Sequence, residues 1–235
     1  MKLGVNIDHI ATLRNARGGV EPNLIEAAKI ALKEDILALT MHLREDRRHI
    51  KDNDLYEVKK LGAKINLEMA ATSEIQKIAL DLMPYSVCIV PERRQEVTTE
   101  GGLDVLGQKE YLKEFIKPLK EAGILVSMFI DADIKQVEAS SCIGADYIEM
   151  HTGCFSNAFE KGEFELELEK LKKAAKHAQE LGLKVNAGHG LNYENVYLMK
   201  EIKGLCELNI GHSIISKAVF DGLSSAIKQM LELIK

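Results

Sequence analysis

The chain has 235 residues, 46% hydrophobic and 29% charged, an ordinary globular balance that fits one large α/β domain or two small ones. Its net charge of −5 excludes non-specific nucleic-acid binding, which draws its free energy from counterion release around surplus cations. No stretch approaches the roughly twenty apolar residues of a membrane span, and the first residues carry no charged-then-apolar export pattern.

In chain order, the first apolar run, 3–7, leads into Asn6, Asp8 and His9, with Arg14 and Arg17 beyond. The second, 36–41, ends in Thr40, His42 and Arg44, followed by Arg47, Arg48 and His49. The third, 64–69, carries Asn66 and Glu68. The fourth, 86–90, is followed by a polar stretch, 91–107, with Arg93, Arg94 and Gly101-Gly102 and no helical stripe. A loop of that length after a strand reads as a lid. The fifth run is 124–130, and the sixth, 146–150, leads through Glu149 to His151. Phe164, Leu168, Leu171, Ala175 and Ala178 then step by four and three, the stripe of an amphipathic helix. The seventh run, 183–187, opens into Gly188-His189-Gly190, and the eighth, 206–210, into Gly211-His212-Ser213. A last helical stripe joins Leu223, Ile227, Met230 and Ile234.

Gly62, Gly123, Gly144, Gly182 and Gly204 stand just before strand runs, where glycine closes a helix in the left-handed turn at least cost. Eight strand–helix units imply parallel pairing with right-handed crossovers. The predicted fold is α/β, a single (β/α)8 TIM barrel over residues 1–235. An open doubly wound sheet is the alternative, but Asn6-Ile7-Asp8-His9-Ile10 does not resemble the glycine-rich phosphate loop such a sheet carries after its first strand.

The polar residues at the strand ends carry the chemistry. Asn6 with Asp8, Thr40 with His42, Asn66 with Glu68, and Glu149 with His151 share strand faces at period two. In a barrel clad by helices those faces meet in the upper lumen, at the C-terminal mouth where this fold keeps its active sites. Neutral acid–base groups explain the set. A metal is a separate reading, but no H-x-H or H-E-x-x-H spacing supports it. All seven arginines fall within residues 14–94 in three clusters, in a chain otherwise rich in lysine. They are candidate phosphate or carboxylate clamps, with local pairing to acids such as Glu45-Asp46 as the alternative. The small residues after the seventh and eighth runs suit a phosphate cradle. Two anionic positions across one mouth point to two phosphorylated substrates, or to one substrate with two anionic ends. Lys64 and Lys184 lie at strand starts, which disfavours a Schiff-base aldolase. A phosphosugar isomerase or epimerase, or a non-catalytic phospho-ligand sensor, stay as alternatives. The scattered Cys88, Cys142, Cys154 and Cys206 fit reduced thiols and a cytoplasmic protein.

Long blocks of the chain closely resemble the pyridoxine 5′-phosphate synthase family of the deoxyxylulose-phosphate-dependent vitamin B6 route: GVNIDHIATLRNARG (4–18), HLREDRRHI (42–50), NLEMA (66–70), VPERRQEVTTEGGLDV (90–105), FIDAD (129–133), IEMHTGC (148–154), GLKVNAGHGL (182–191) and ELNIGH (207–212). The resemblance implies a (β/α)8 barrel assembled as a homo-octamer, with no metal and no organic cofactor. It implies condensation of 1-deoxy-D-xylulose 5-phosphate with 3-amino-2-oxopropyl phosphate to pyridoxine 5′-phosphate, phosphate and water. On the same basis Asn6, Arg17, Gly190, Gly211 and His212 correspond to the aminoketone-phosphate site. Asp8, His9, Arg44, His49 and Thr98 correspond to the deoxyxylulose-phosphate site. His42 and Glu68 resemble the family's proton acceptors, His189 its proton donor, and Glu149 its transition-state stabiliser. The chain departs from the family at Lys33-Glu34-Asp35 and over 157–165, both expected at the base or periphery.

Overall fold

A computed structural model describes residues 1–92 and 101–235. Its strands are β1 (Lys2–Asn6), β2 (Ala38–His42), β3 (Ile65–Met69), β4 (Ser86–Ile89), β5 (Leu125–Ile130), β6 (Tyr147–His151), β7 (Lys184–Gly188) and β8 (Leu205–Ile210). Each pairs in parallel with the next, and β8 closes onto β1. The expected barrel is therefore observed, and the β1–β8 pairing excludes the open sheet. Thr98, Arg93, Arg94 and the middle of the expected lid lie outside the described residues.

The helices are α1 (Asp8–Arg17), α2 (Leu24–Ala31), α3 (Asp52–Lys60), α4 (Ser73–Leu82), α5 (Lys109–Glu121), α6 (Ile134–Cys142), α7 (Gly153–Glu160), α8 (Glu165–Glu180), α9 (His212–Asp221) and α10 (Leu223–Ile234). Both helical stripes expected from spacing are present, as α8 and α10. Between β7 and β8 the sequence pattern suggested a helix, but the chain forms only a 3₁₀ turn, Val196–Glu201. All five expected turn glycines have left-handed φ angles, and Gly204 follows that short turn rather than an α-helix. Three helices begin directly where strands end, α1 after β1, α7 after β6 and α9 after β8. Their N-termini bring backbone N–H groups without intrahelical partners to the barrel mouth, that of Asp8 being met by Asn6 Oδ1 at 2.9 Å.

The strand alternation separates two interiors. Leu39 and Met41, Ile65 and Leu67, and Ile148 and Met150 point outward, fully buried in one continuous apolar core under the helices. Burying each such side chain contributes about 1.5–3 kcal/mol. The inward positions are different, because barrels of this kind usually fill the lumen with branched aliphatics. Here the lumen carries a hydrogen-bonded polar chain. Ser86 donates to Asn66 (2.9 Å), Asn66 lies 3.4 Å from the Thr40 hydroxyl, Thr40 donates to Asn209 (2.8 Å), and Asn209 donates to Glu149 (2.7 Å). A Cβ on Gly4 would collide with the Asn209 carboxamide and lie 2.6 Å from Glu207, so the bare backbone of β1 makes room for both.

Candidate active site

Strand register sets the site. Parallel pairing puts His42 beside Glu68, Glu149 beside both Phe129 and Asn186, and His151 beside Gly188. Inward side chains on neighbouring strands then stand one strand spacing apart, about 4.8 Å. His42 Nδ1 is 3.8 Å from Glu68 Oε2, and its Nε2 is 2.7 Å from Glu92 Oε1. Burial alone would raise the Glu92 pKa, but the bond to His42, the Glu45 N–H and nearby Arg44 outweigh it and hold the carboxylate ionised. An ionised Glu92 accepts, so His42 Nε2 carries a proton, while Nδ1 faces Glu68. Burial, then the charges of Glu149 and Asp8, push the Glu68 carboxyl well above its usual range. A carboxyl and an imidazole at this spacing suit proton exchange.

Asp8 accepts from Asn6 (2.8 Å) and from the His42 backbone N–H (2.9 Å), which ties the tops of β1 and β2 together. His49 arrives on the 43–51 loop, fastened by Arg14 and Asn15 of α1 to its own carbonyl and that of Arg48. The Ile50 N–H donates to His49 Nδ1 (2.9 Å), so the Nε2–H tautomer remains as a donor. Burial lowers the His49 pKa and keeps the ring neutral, which makes it a neutral hydrogen-bond donor toward an anion. Arg44 is buried at the same loop, 3.5 Å from Asp46. Asp8, His42 and His49 offer donor atoms within 4.8 Å of one another. The Asp8 oxygens and His42 Nε2 already have hydrogen-bond partners.

The opposite side is assembled by β7 and β8. Gly211 lies against Asn6, where a Cβ would come within 2.8 Å of the Asn6 Cβ. Gly190 has φ +78 and sits over Ser156, while Ser213 donates to the Leu191 carbonyl (2.8 Å) and joins the two loops. His9 and His212 meet edge to face, with ring centroids 4.9 Å apart, so the two groups of strand-end residues share a border. His189 holds a left-handed backbone (φ +76), uncommon for a residue with a side chain. Burial, and then His151, lower its pKa to about 4. Glu149 is pushed up to about 7 by burial, against the opposing bond from Asn209.

The arginine clusters divide. Arg14 makes a bidentate pair with Asp54, Arg47 pairs with Asp52 and Glu74, and Arg48 pairs with Asp46. For Arg47 and Arg48 local pairing was the correct alternative, while Arg14 is committed to an acid forty positions away. Arg17 stands exposed in the last turn of α1 and, among the described residues, has no carboxylate partner. Nine residues of helix separate it from Asp8, about 14 Å along the axis. Arg17 is therefore not brought into contact with Asn6, Gly190 or Gly211 here. Two residues absent from the expected set, Glu92 and Asp131, stand at the mouth, and a third, Glu207, lies lower in the lumen, in register with Lys2. Glu92 and Asp131 lie just past strand ends, a signal available in sequence, whereas only the barrel interior reveals Glu207.

Glu207 is buried and pushed up to about 8 by burial and by Glu149. Between the ordinary value of 4.5 and about 8, the folded protein keeps a proton that the unfolded chain has released, so stability falls as pH rises through that window. Glu149 adds to this fall up to about 7. His189 acts oppositely between about 4 and 6.5, where only the unfolded chain is protonated. Glu207→Gln is expected to raise stability at pH 8 by a few kcal/mol (order of magnitude) and to flatten the pH 6.5–8 decline. Denaturant unfolding at pH 6.5 and 8 measures this; an unchanged slope rules out Glu207 as its source.

A family model described as "Pyridoxal phosphate biosynthesis protein PdxJ" matches residues 3–235. A pyridoxine 5′-phosphate synthase from Sulfurihydrogenibium sp. (strain YO3AOP1) is 58% identical over 238 residues, covering 100% of this chain and 98% of that protein. One from Aquifex aeolicus (strain VF5) is 54% identical over 241 residues, with both chains covered completely at 100%. Among solved structures, the thiamine phosphate pyrophosphorylase from Pyrococcus furiosus superposes with a TM-score of 0.61 at 16% identity, covering 100% of this chain and 97% of that one. At that identity the likeness concerns the fold alone. No helix among the described residues is long and apolar enough to cross a membrane.

Proposed function

The chain belongs to the PdxJ family of pyridoxal phosphate biosynthesis proteins, and from that premise we propose that its barrel mouth is the active site of a pyridoxine 5′-phosphate synthase. It condenses 1-deoxy-D-xylulose 5-phosphate with 3-amino-2-oxopropyl phosphate to give pyridoxine 5′-phosphate, phosphate and water. The observation that carries this reading is the border between two groups of substrate-binding candidates. Asp8, His9, Arg44 and His49 line one side, Asn6, Gly190, Gly211 and His212 the other, and the His9–His212 contact joins them. Two substrates held that way bring an amine and a ketone into one space, the entropic part of a condensation.

The residue roles follow from the local chemistry. The aminoketone's amine attacks the ketone of the sugar phosphate, and dehydration, loss of phosphate and aldol-type ring closure follow. Each step moves protons near neutral pH. His42 accepts through Nδ1 the proton that Glu68 gives up, Glu68 once ionised is the second proton acceptor, and His189 is the donor. Glu149, held by Asn209, stabilises charge developing at the ring-forming centre. Thr98 belongs with the deoxyxylulose-phosphate side and Arg17 with the aminoketone phosphate. Arg17→Ala is expected to raise the KM for 3-amino-2-oxopropyl phosphate by about 10–100-fold, the loss of one charge-assisted contact. Steady-state kinetics with each substrate varied in turn tests it. A KM rise confined to the other substrate reverses the assignment of the two sides.

The assay for the function is incubation with both phosphorylated ketones. The expected result is stoichiometric phosphate release with the appearance of a pyridine chromophore. Isomerisation of a single phosphosugar without phosphate release would establish the competing function. We place the chain in the cytoplasm as one barrel domain over residues 1–235, consistent with its four free thiols. We also assign it the family's homo-octamer. Leu13 on α1, and Val219 and Phe220 on α9, stand 58%, 71% and 89% exposed on helices that touch one another. An apolar surface of that kind suits burial against another copy.

A further inference from the structure

We propose that Asp131 and His151 form a positioning dyad for His189: the carboxylate fixes the His151 ring so that its Nε2 lone pair is kept as an acceptor for His189 when that ring takes up a proton during turnover. The proposal rests on the synthase reading above, in which His189 moves the protons.

Asp131 follows β5 immediately, and its Oδ1 is 3.0 Å from His151 Nδ1. The same oxygen accepts from the Gly102 N–H at 3.0 Å, so two elements hold the carboxylate in place. The bond to His151, ahead of the N–H of Gly102, lowers the Asp131 pKa and keeps the group ionised despite partial burial. An ionised carboxylate only accepts, so Nδ1 carries a proton, and in the neutral ring Nε2 is the lone pair. The His151 side chain is only 4% exposed. Phe129 packs on the ring at 5.3 Å between centroids and His189 at 5.0 Å. Among the described residues, His151 Nε2 is buried with no hydrogen-bond partner. An unmet acceptor in the interior costs about 1–3 kcal/mol, and such a group calls for an explanation.

The surroundings are shaped around that nitrogen. A Cβ on Gly153 would lie 2.6 Å from His151 Nε2 and 3.3 Å from His189 Cδ2, so only glycine lets both rings occupy the space. The Thr152 hydroxyl donates to the His189 carbonyl and holds its left-handed backbone. The titratable groups facing His151 are Asp131 and His189, with Glu149 two residues back on the same strand face.

His189 is neutral in the free protein at neutral pH, so a proton it donates must first be collected. The substrate's ammonium supplies one: its N–H bond breaks to leave the nucleophilic amine, and a His189 ring nitrogen forms the new N–H. The other ring N–H of the imidazolium turns onto His151 Nε2. When the phosphate leaves, the first N–H breaks and its proton passes to the departing oxygen as the C–O bond cleaves.

The test combines ¹⁵N NMR of the histidines in the full-length protein with kinetics of Asp131→Asn, His151→Phe and His151→Gln. Asp131 has its side chain more than half exposed, so Asp131→Asn keeps the fold even where His151→Phe does not. The wild type is expected to show His151 protonated at Nδ1 and bare at Nε2. Asp131→Asn and His151→Phe are expected to lower kcat about 10–100-fold with both KM values within about twofold, and to move the high-pH limb of kcat down by about one unit. His151→Gln, which keeps an acceptor, recovers most of the loss. An Nε2–H tautomer in the wild type, or an unmoved limb in Asp131→Asn, overturns the dyad. Wild-type protein that makes no pyridine product sinks the synthase reading instead, and the tautomer still decides whether the dyad exists.

Discussion

Glu68→Gln is expected to abolish pyridine formation, with kcat falling by about 10²–10⁴-fold or more, while both phosphorylated substrates still bind. Glutamine matches the shape of the carboxyl and cannot exchange a proton. Burial pushes the Glu68 carboxyl well above its usual range, and the substitution removes its proton exchange while keeping its shape. The His42–Glu92 bond does not involve Glu68 and is expected to persist. Stopped-flow turnover and calorimetric titration with each substrate check the two halves separately. Unaltered turnover removes Glu68 from the catalytic set; lost binding with normal turnover of bound substrate assigns it to substrate affinity instead.

His189→Asn is the second large effect. The position has φ +76, a region that asparagine enters more readily than other residues with side chains. Folding stability is therefore expected to change little, within about 1 kcal/mol, while turnover falls about 10²–10⁴-fold for loss of the acid–base group. Thermal unfolding and phosphate release on the same sample compare the two. Turnover within a few-fold of wild type would exclude His189 as the proton donor. A collapsed melting temperature would mean that the imidazole packs rather than reacts.

Where sequence reading succeeded, it did so through strictly local signals. Leu39, Met41, Ile65 and Leu67 alternate with Thr40, His42, Asn66 and Glu68, and period-two geometry alone sends the first set under the helices and the second into the lumen. The glycines at 62, 123, 144 and 182 mark helix ends because each must adopt a left-handed φ. The missing helix between β7 and β8 shows the limit of such signals. Val196, Leu198 and Met199 are buried as a helical face would be, yet only a 3₁₀ turn forms. Asn195 accepts from the Asn192 N–H, and Asn192 from the N–H groups of Glu194 and Asn195, which ties the start of the segment into tight turns.

Partnerships between distant residues were not legible. Arg14 and Asp54 are forty positions apart, and nothing in their spacing says that this guanidinium is committed to a carboxylate while Arg17 is not. Glu92 reads as a loop acid until the β4 end brings it to His42. Asp131 reads as a turn residue until the β5 and β6 tips set it against His151.

From its residues alone, this chain determined eight strands, their inward and outward faces, and the set of polar side chains at their C-terminal tips. Those are consequences of backbone geometry acting over a few neighbouring residues. Barrel closure decided which of those side chains touch, which are stripped of water, and which protons each can hold. Hydrogen bonding and desolvation depend on ångström-scale distances between strands, and these exist only once β8 has paired with β1.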